Sequence, residues 1–304
     1  MKITLVHNPK AGHEKWSGEK LTSLIRAENH SVTYRSSKGD DWQDALDLPV
    51  DLVLVAGGDG TIAEVAKRLL GRKIPIAILP VGTANNILRA LDLGEAPIED
   101  LIAGLSSAKR KQFDLGIATG PWGSRPFLES VGTGLFASTM SKLDSRDNLH
   151  IVHLEDSKEQ LQAVVKLLIE RLDEGFTRPL ELTVDGKDQS GDFILVEAMN
   201  IGHIGPNLNL APDSKVDDGK LDVVLVEKRE EKQLRRYLSD LSNGIFREPE
   251  FEVRRTRVVE LKWEGFDIHI DDDTWPQPGS GFDLEPSQIT VKVEGHGLEF
   301  LVPK

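Results

Sequence analysis

The sequence predicts two domains, an N-terminal doubly wound parallel α/β domain and a C-terminal antiparallel β-sandwich. The first observation is length, since 304 residues are long for a single hydrophobic core. The second is that short apolar runs alternate with helical periods through the first half, which is typical of a parallel sheet. The third is a change at about Phe113, after which short strands dominate.

The first half contains four predicted strands separated by helices. Leu52–Ala56 is an unbroken apolar run, which suits a strand that is buried on both faces. Gly71 is a helix stop and Pro97 a helix start. The predicted strands are Ile3–Val6, Val32–Arg35, Leu52–Ala56 and Ile74–Leu79. The predicted helices cover about 17–28, 62–70, 87–91 and 98–105.

The second half is predicted as an antiparallel sandwich or barrel with two helices, 157–172 and 230–241. Asp185-Gly186 is a hairpin turn signal. The predicted strands are Phe113–Ala118, Pro126–Val131, Leu180–Val184, Phe193–Met199, Leu221–Glu227, Glu252–Leu261, Phe266–Ile270 and Ile289–Val293.

The composition excludes several classes of protein. A net charge of −13 argues against a nucleic-acid binder and against membrane adhesion by charge alone. The absence of cysteine excludes disulfides and thiolate sites, and is permissive of the cytoplasm. The apolar run at Ile3–Val6 is too short for a signal peptide, and no segment predicts a transmembrane helix.

The turn Gly57–Thr61 follows a predicted strand and precedes a predicted helix. Glycines and a helix N-terminus together suit an anion, because phosphate can approach the backbone N–H groups. A carboxylate beside phosphate needs a cation between them, so Asp59 predicts a magnesium contact. A tight turn with an Asp near a helix N-cap is the alternative interpretation.

Polar loops follow each of the four strands, and ligands of such sheets bind beyond the carboxyl ends of the strands. We therefore expect one site from four loops: the Asn8 loop, Ser36–Ser37, Gly57–Thr61 and Gly82–Asn85. No Walker A loop or GxGxxG motif is present. Phosphate chemistry would then use backbone N–H groups, Thr61, Thr83, Asn85 and a metal.

Three motifs resemble those of the diacylglycerol kinase catalytic-domain family. Asn8-Pro9-x-Ala11-Gly12 is similar to its opening NPxxG. Gly57–Thr61 with Glu64 is similar to GGDGTxxE, and Pro80-x-Gly82-Thr83-x-Asn85 with Arg89 is similar to the third motif. GGDGT is shared with NAD kinases and 6-phosphofructokinases, whereas the end of the first motif and Glu64 favour the lipid kinases.

This resemblance implies that the first domain binds ATP and Mg²⁺ and that the final segment returns to it. The domains would be residues 1–112 plus about 297–304, and 113–296, the latter for the lipid substrate. Ser36 or Ser37 stands where relatives often have a nucleotide-contacting Thr. The implied nucleotide contacts are Asn8, Ser37, Gly57, Gly58, Asp59, Gly60, Thr61, Glu64, Gly82, Thr83 and Asn85.

The resemblance also implies metal contacts outside the glycine turn. Asp114 is similar to the Asp that joins Asp59 in a magnesium–water network. Asp218 matches a DGxLD turn, in which the carboxylate and the carbonyls of Lys215 and Lys220 hold a metal. A capping or solvent-exposed Asp114 and a plain Asp-Gly hairpin are the alternatives.

Asp271-Asp272-Asp273 stands where the family has Asp-Gly-Glu. The resemblance implies that Asp271 is the general base for the lipid hydroxyl, with Asp273 in place of the catalytic Glu. Three carboxylates held close together would impair or tune that base, and an acidic solvated turn is the alternative. Asn86 replaces an Asp of many relatives, which removes one charge from the magnesium network.

The expected function is therefore an ATP- and Mg²⁺-dependent lipid kinase for diacylglycerol or a related glycerolipid. We expect a cytoplasmic protein that binds the membrane surface peripherally and no nucleic acid. The oligomeric state stays open, a homodimer included. One alternative is a nucleotide- or lipid-binding protein with impaired catalysis, and another is a soluble-substrate kinase such as an NAD kinase.

Overall fold

A computed structural model describes residues 1–11, 15–94, 96–143, 151, 157–276 and 285–304. These residues form two compact units, Met1–Asp114 with Gly295–Lys304, and Leu115–Glu294. The chain leaves the first unit within strand β5 (Lys109–Gly120) and returns within β19 (Ser287–Val302). Gly12 of the opening motif lies outside the described residues.

A parallel sheet forms the centre of the first unit. Its strands are β1 (Lys2–His7), β2 (Ser31–Ser36), β3 (Leu52–Gly57) and β4 (Ile76–Pro80). They lie in the order β2–β1–β3–β4, and Phe300 of β19 pairs in parallel with Ile76. The order places the ends of β1, β3 and β4 side by side. The predicted parallel sheet is confirmed.

Short helices follow these strands and cover the sheet. They are α1 (Gly18–Ala27), α2 (Trp42–Ala45), α3 (Asp59–Arg68), α4 (Asn86–Ala90) and α5 (Ile98–Gly104). Apolar residues of α1 and α5 join the sheet in one core that includes Leu21, Leu54 and Ile102. Helix α3 begins three residues before the prediction, because the glycine turn itself forms its first turn. Helix α2 was not predicted, since four residues are too few to show a helical period.

The second unit is an antiparallel sandwich, as predicted. One sheet contains β9 (Leu182–Val184), β10 (Lys187–Asp188), β16 (Val258–Trp263) and the first part of β19, in the order β10–β9–β16–β19. Strand β5 forms a hairpin with β6 (Gly123–Phe127). Asp185 and Gly186 form the predicted turn, both with positive φ.

The other sheet of the sandwich contains more strands. Its strands are β7 (Ser130–Gly134), β8 (Arg178–Leu180), β11 (Gly191–Met199), β14 (Leu221–Glu227), β15 (Val253–Thr256), β17 (Ile268–Ile270) and β18 (Asp273–Trp275). The order is β15–β14–β11–β7–β17–β18, with β8 also beside β11. A separate pair joins β12 (His203–Ile204) to β13 (Leu208–Asn209).

One core fills the space between these sheets, and a second lies under three helices. The helices are α6 (Leu135–Leu143), α7 (Ser157–Asp173) and α8 (Glu231–Ser242). Helix α6 was not predicted, because Leu135 to Thr139 are all buried and show no polar face. Among the described residues, no helix combines the length and the apolar character needed to cross a membrane.

Three predicted strands are each two strands in the structure. Leu180–Val184 and Glu252–Leu261 break because the chain crosses from one sheet to the other at Glu181 and at Arg257. Pro126–Val131 breaks at Leu128 and Glu129, between β6 and β7. The N–H groups of Leu128 and Glu129 donate to the Asp271 carboxylate, and this use of the backbone ends the strand.

Candidate functional site

In the first unit, the turns that follow β1, β3 and β4 contact one another. The backbone N–H of Asn8 donates to the carbonyl of Ala56 at 2.8 Å, and its side-chain amide lies 3.5 Å from Thr61 Oγ1. A Cβ at Gly82 would lie 2.4 Å from the Cα of Gly58. Only a glycine allows this approach, so the three turns form one surface at the carboxyl ends of the strands.

Asp59 ties two of these turns together. Its side chain is 9% exposed. Its Oδ2 accepts a hydrogen bond from the N–H of Asn86 at 2.9 Å, and its Oδ1 accepts one from Ile87 at 3.0 Å. These N–H groups belong to the first turn of α4 and have no partner within the helix. The carboxylate therefore caps α4 and complements its dipole.

Two side-chain oxygens near this cluster are left without a protein donor. The Asn85 amide donates to the Gly82 carbonyl at 3.1 Å, but Asn85 Oδ1 is buried and has no hydrogen-bond partner among the described residues. Ser37 Oγ is buried and unpartnered in the same way. Unpaired buried oxygens are costly, so these positions suit a ligand donor or a cation.

The predicted nucleotide contacts differ in exposure. Thr83 and Glu64 are exposed, whereas Gly57 is buried. A Cβ at Gly57 would lie 2.6 Å from Thr61 Cβ, which explains the first glycine of the motif. This part of the first unit combines hard oxygen donors, the N-terminus of α3 at the glycine turn and the Asp59 carboxylate. Such groups are chemically suited to a magnesium–nucleotide complex.

His7 ends β1 directly before Asn8. Its Nδ1 lies 3.3 Å from the Tyr34 hydroxyl, and its ring is buried. Burial lowers the pKa of His7 and raises the pKa of Tyr34. His7 is therefore neutral at pH 7 and supplies no cation to the turn that follows it.

Asp114 anchors the returning segment of the first unit. It is fully buried, and its Oδ1 accepts a hydrogen bond from the His296 N–H at 2.7 Å. His296 is held in the left-handed region with φ of 56°, and its Nδ1 lies 3.6 Å from the same oxygen. The position in a magnesium–water network stays a prediction.

The Asp218 turn of the second unit is closed by its own backbone. Asp218 Oδ1 accepts a hydrogen bond from the Lys220 N–H at 3.0 Å, and Gly219 has φ of 68°. Lys215 and Lys220 are exposed. Over the ranges that the structure describes, no group of three or more His, Asp or Glu side chains is arranged to hold a metal. A metal at Asp218 stays a prediction.

Asp222 lies beside this turn. Burial raises the pKa of Asp222, and Ser214 and Arg255 oppose the shift without cancelling it. The Arg255 Nε lies 3.3 Å from Asp222 Oδ1. The contact between Asp222 and Arg255 ties the turn to β15. It gives Asp222, the second Asp of the DGxLD motif, a structural role that does not involve a metal.

Every polar atom of Asp271 has a hydrogen-bond partner within the second unit. Its Oδ1 accepts hydrogen bonds from the N–H groups of Leu128 at 3.1 Å and Glu129 at 2.8 Å. Its own N–H donates to the Ser130 carbonyl at 2.9 Å. Its side chain is buried, with 8% exposure, whereas Asp272 and Asp273 are exposed. The three carboxylates therefore lie in different environments.

The backbone explains why Asp272 can stand where the resemblance implies a glycine. The left-handed conformation falls on Asp271, with φ of 49°, and not on Asp272. Asp tolerates this region better than most residues. Asp272 therefore replaces Gly without strain at its own position, and Asp273 begins β18.

Glu197 and His269, which form a contact next to Asp271, belong to none of the motifs that the sequence contains. The His269 ring contacts the Glu197 carboxylate and the Asp271 carbonyl. One signal was available, because Glu197 is the only charged residue in the apolar run Phe193–Met199. A buried strand rarely carries an ionisable side chain without a partner.

Two known families match the two halves of this chain. Residues 2–118 match the family described as "Diacylglycerol kinase catalytic domain". Residues 139–293 match that described as "YegS C-terminal NAD kinase beta sandwich-like domain".

Individual relatives agree with these matches. A "Diacylglycerol kinase" of Mycobacterium tuberculosis is 24% identical, over 97% of this chain and 96% of that protein. A "Probable lipid kinase YegS-like" of Pseudomonas syringae is 30% identical, over 76% of this chain and 71% of that protein. A solved diacylglycerol kinase structure from Bacillus anthracis covers 99% of this chain and 96% of its own, with a TM-score of 0.67 and 20% identity. The chain belongs to the diacylglycerol kinase family of lipid kinases, which are phosphotransferases with an alcohol group as acceptor.

Proposed function

We propose that this protein transfers the γ-phosphoryl group of ATP to the hydroxyl of diacylglycerol or a related glycerolipid, with Mg²⁺ as cofactor. One observation carries the nucleotide half of the proposal: the turns after β1, β3 and β4 are held together by the Asn8 hydrogen bonds, by Asp59 and by the close approach of Gly58 and Gly82. This arrangement brings the N-terminus of α3 to the carboxyl ends of the strands, where backbone N–H groups suit a polyphosphate.

Mg²⁺ would be held through Asp59, with Asp114 as the further carboxylate of the first unit. Bound there, the ion would neutralise charge on the phosphates. Asp59 is already the cap of α4, and a carboxylate oxygen that accepts one N–H keeps a second lone pair. The capping bonds and a metal contact are therefore compatible.

Asp271 would be the proton acceptor. As the lipid hydroxyl oxygen bonds to the γ-phosphorus, the bond from that phosphorus to the bridging oxygen of ADP breaks and Asp271 takes the hydroxyl proton. The Leu128 and Glu129 amides hold the carboxylate in one orientation. Positioning of this kind is the main contribution that a protein makes to phosphoryl transfer.

The test is a transfer assay with purified protein, γ-labelled ATP, Mg²⁺ and mixed micelles. Parallel reactions contain diacylglycerol, monoacylglycerol or NAD as acceptor. We expect labelled lipid with diacylglycerol and no labelled NADP. Labelled NADP would favour the NAD kinase alternative, and saturable ATP binding without transfer to any acceptor would favour the impaired binder.

A further inference from the structure

A buried acid–histidine pair lies directly beneath Asp271 in the second unit. Glu197 is 0% exposed and His269 is 1% exposed. The His269 Nε2 lies 2.8 Å from Glu197 Oε2 and 3.1 Å from Oε1. Two ionisable groups in an apolar core are costly unless each satisfies the other.

The sheet is built to bring these two side chains together. Glu197 on β11 and His269 on β17 both pair with Gly132 of the intervening strand β7. A Cβ at position 132 would lie 2.1 Å from Glu197 Oε2. The missing side chain of Gly132 therefore makes the space in which Glu197 and His269 meet.

The other ring nitrogen faces Asp271. His269 Nδ1 lies 3.1 Å from the Asp271 carbonyl oxygen. A carbonyl only accepts hydrogen bonds, so Nδ1 carries a proton whichever way Glu197 and Nε2 share theirs. Burial acts to lower the pKa of His269, but Glu197 and the Asp271 carbonyl outweigh burial and raise it. Phe136 packs edge-on against the ring at 4.9 Å and fixes its plane.

We infer that Glu197 and His269 are positioning residues for Asp271. Glu197 orients the imidazole, and its Nδ1–H clamps the Asp271 carbonyl so that the residue stays in the left-handed conformation. In that conformation the carboxylate reaches the Leu128 and Glu129 amides. The inference rests on the proposed role of Asp271 as proton acceptor, and neither Glu197 nor His269 touches substrate in it.

The decisive variant removes the clamp without leaving a buried charge. In Glu197→Leu/His269→Phe, both ionisable groups become apolar groups of similar size, and such replacements are often neutral or stabilising. We expect an unchanged or higher Tm, a kcat that is about tenfold lower, and unchanged KM for ATP and lipid. A merely structural pair predicts an unchanged kcat in a variant that folds.

Rescue and control variants sharpen the test. Glu197→Leu/His269→Asn returns an amide N–H to the place of Nδ1–H and should recover part of kcat. Thr133→Val removes a buried hydrogen bond to the Asp267 carbonyl one position along β7. That variant should lower Tm slightly and leave kcat unchanged.

Backbone amide exchange at Leu128 and Glu129 separates this inference from the proposed function. Loss of the clamp should speed exchange at both amides, because they are protected by the Asp271 carboxylate. If the wild type lacks kinase activity, faster exchange in the double variant still supports the clamp while the proposed function fails. Unchanged exchange, or unchanged kcat in an active folded double variant, overturns the inference.

Discussion

Two buried carboxylates, Asp59 and Asp271, accept the same kind of hydrogen bonds but belong to residues with different backbone conformations. Each accepts hydrogen bonds from two consecutive backbone N–H groups. Asp59 lies in the first turn of α3, in ordinary helical backbone. Asp271 occupies the left-handed region at a tight turn between β17 and β18. The first is placed by helix geometry, whereas the second needs tertiary support.

The buried histidines of the two units repeat this contrast. His7 Nδ1 lies 3.3 Å from the Tyr34 hydroxyl, a neutral group, and burial lowers the pKa of His7. His269 is buried as fully, but Glu197 raises its pKa. The direction in which the pKa of a buried histidine moves therefore depends on its partner as well as on burial. The difference matches the roles, since only His269 supports a strained residue.

The largest expected effect is the loss of turnover when the Asp271 carboxylate is removed. Asp271→Asn keeps the shape of the side chain but cannot accept the hydroxyl proton. We expect kcat to fall by about 10²–10⁴-fold, the usual contribution of a general base. The matched control is Asp272→Asn, which neutralises the exposed neighbour and should change kcat less than about twofold. Full activity in Asp271→Asn would refute the assignment of the base.

Asp59→Ala should show its main effect in stability. The change leaves the Asn86 and Ile87 N–H groups buried without a partner, which costs about 3 kcal/mol in the free energy of unfolding. Urea unfolding measures this cost, and Asp44→Ala at an exposed position of α2 is the control. ATP affinity should fall as well, because the third turn loses its tie to the first two. An unchanged urea midpoint would contradict the capping role.

The contrast also explains how far the sequence could predict the site. Gly57–Thr61 and Gly82–Asn85 are local motifs, and their positions at strand ends followed from the alternation of strands and helices. Leu128 and Glu129 could not be identified, because their contribution is made by backbone N–H groups and depends on which strand breaks. Glu197 and His269 are 72 residues apart in sequence and meet only through the register of three antiparallel strands.

The fold shows the same division. Strands β1 to β4 were predicted within two residues. For β1, β3 and β4 the reason is that buried parallel strands are largely continuous apolar runs, whereas β2 is a half-buried strand at the edge of the sheet. In the sandwich, Leu180–Val184 and Glu252–Leu261 were each predicted as one strand because apolar pattern does not mark the point where a chain changes sheet. Helix α6 was missed for a related reason, since burial on nearly all sides removes the amphipathic period.

Two glycine-to-alanine substitutions distinguish a glycine that close packing of the turns requires from a glycine that only lowers helix propensity. Gly82→Ala places a Cβ 2.4 Å from the Cα of Gly58, whereas Gly104→Ala at the end of α5 has no atom within 4 Å of the new Cβ. We expect Gly82→Ala to cost about 2 kcal/mol and to weaken ATP binding. Gly104→Ala should stabilise by about 0.5 kcal/mol, because Ala has the higher helix propensity. Calorimetry of ATP binding and urea unfolding measure both effects.

The smallest expected effect is a pH dependence that comes from His7. Because the pKa of His7 is lower in the folded state than in the unfolded state, its contribution to stability is complete above the unfolded value of 6.5. As pH falls below 6.5, the unfolded state takes up the proton first, and the free energy of unfolding decreases. His7→Gln should remove this part of the slope between pH 7.5 and about 5. Urea unfolding across that range measures it, and parallel curves for the two proteins would show that His7 contributes nothing.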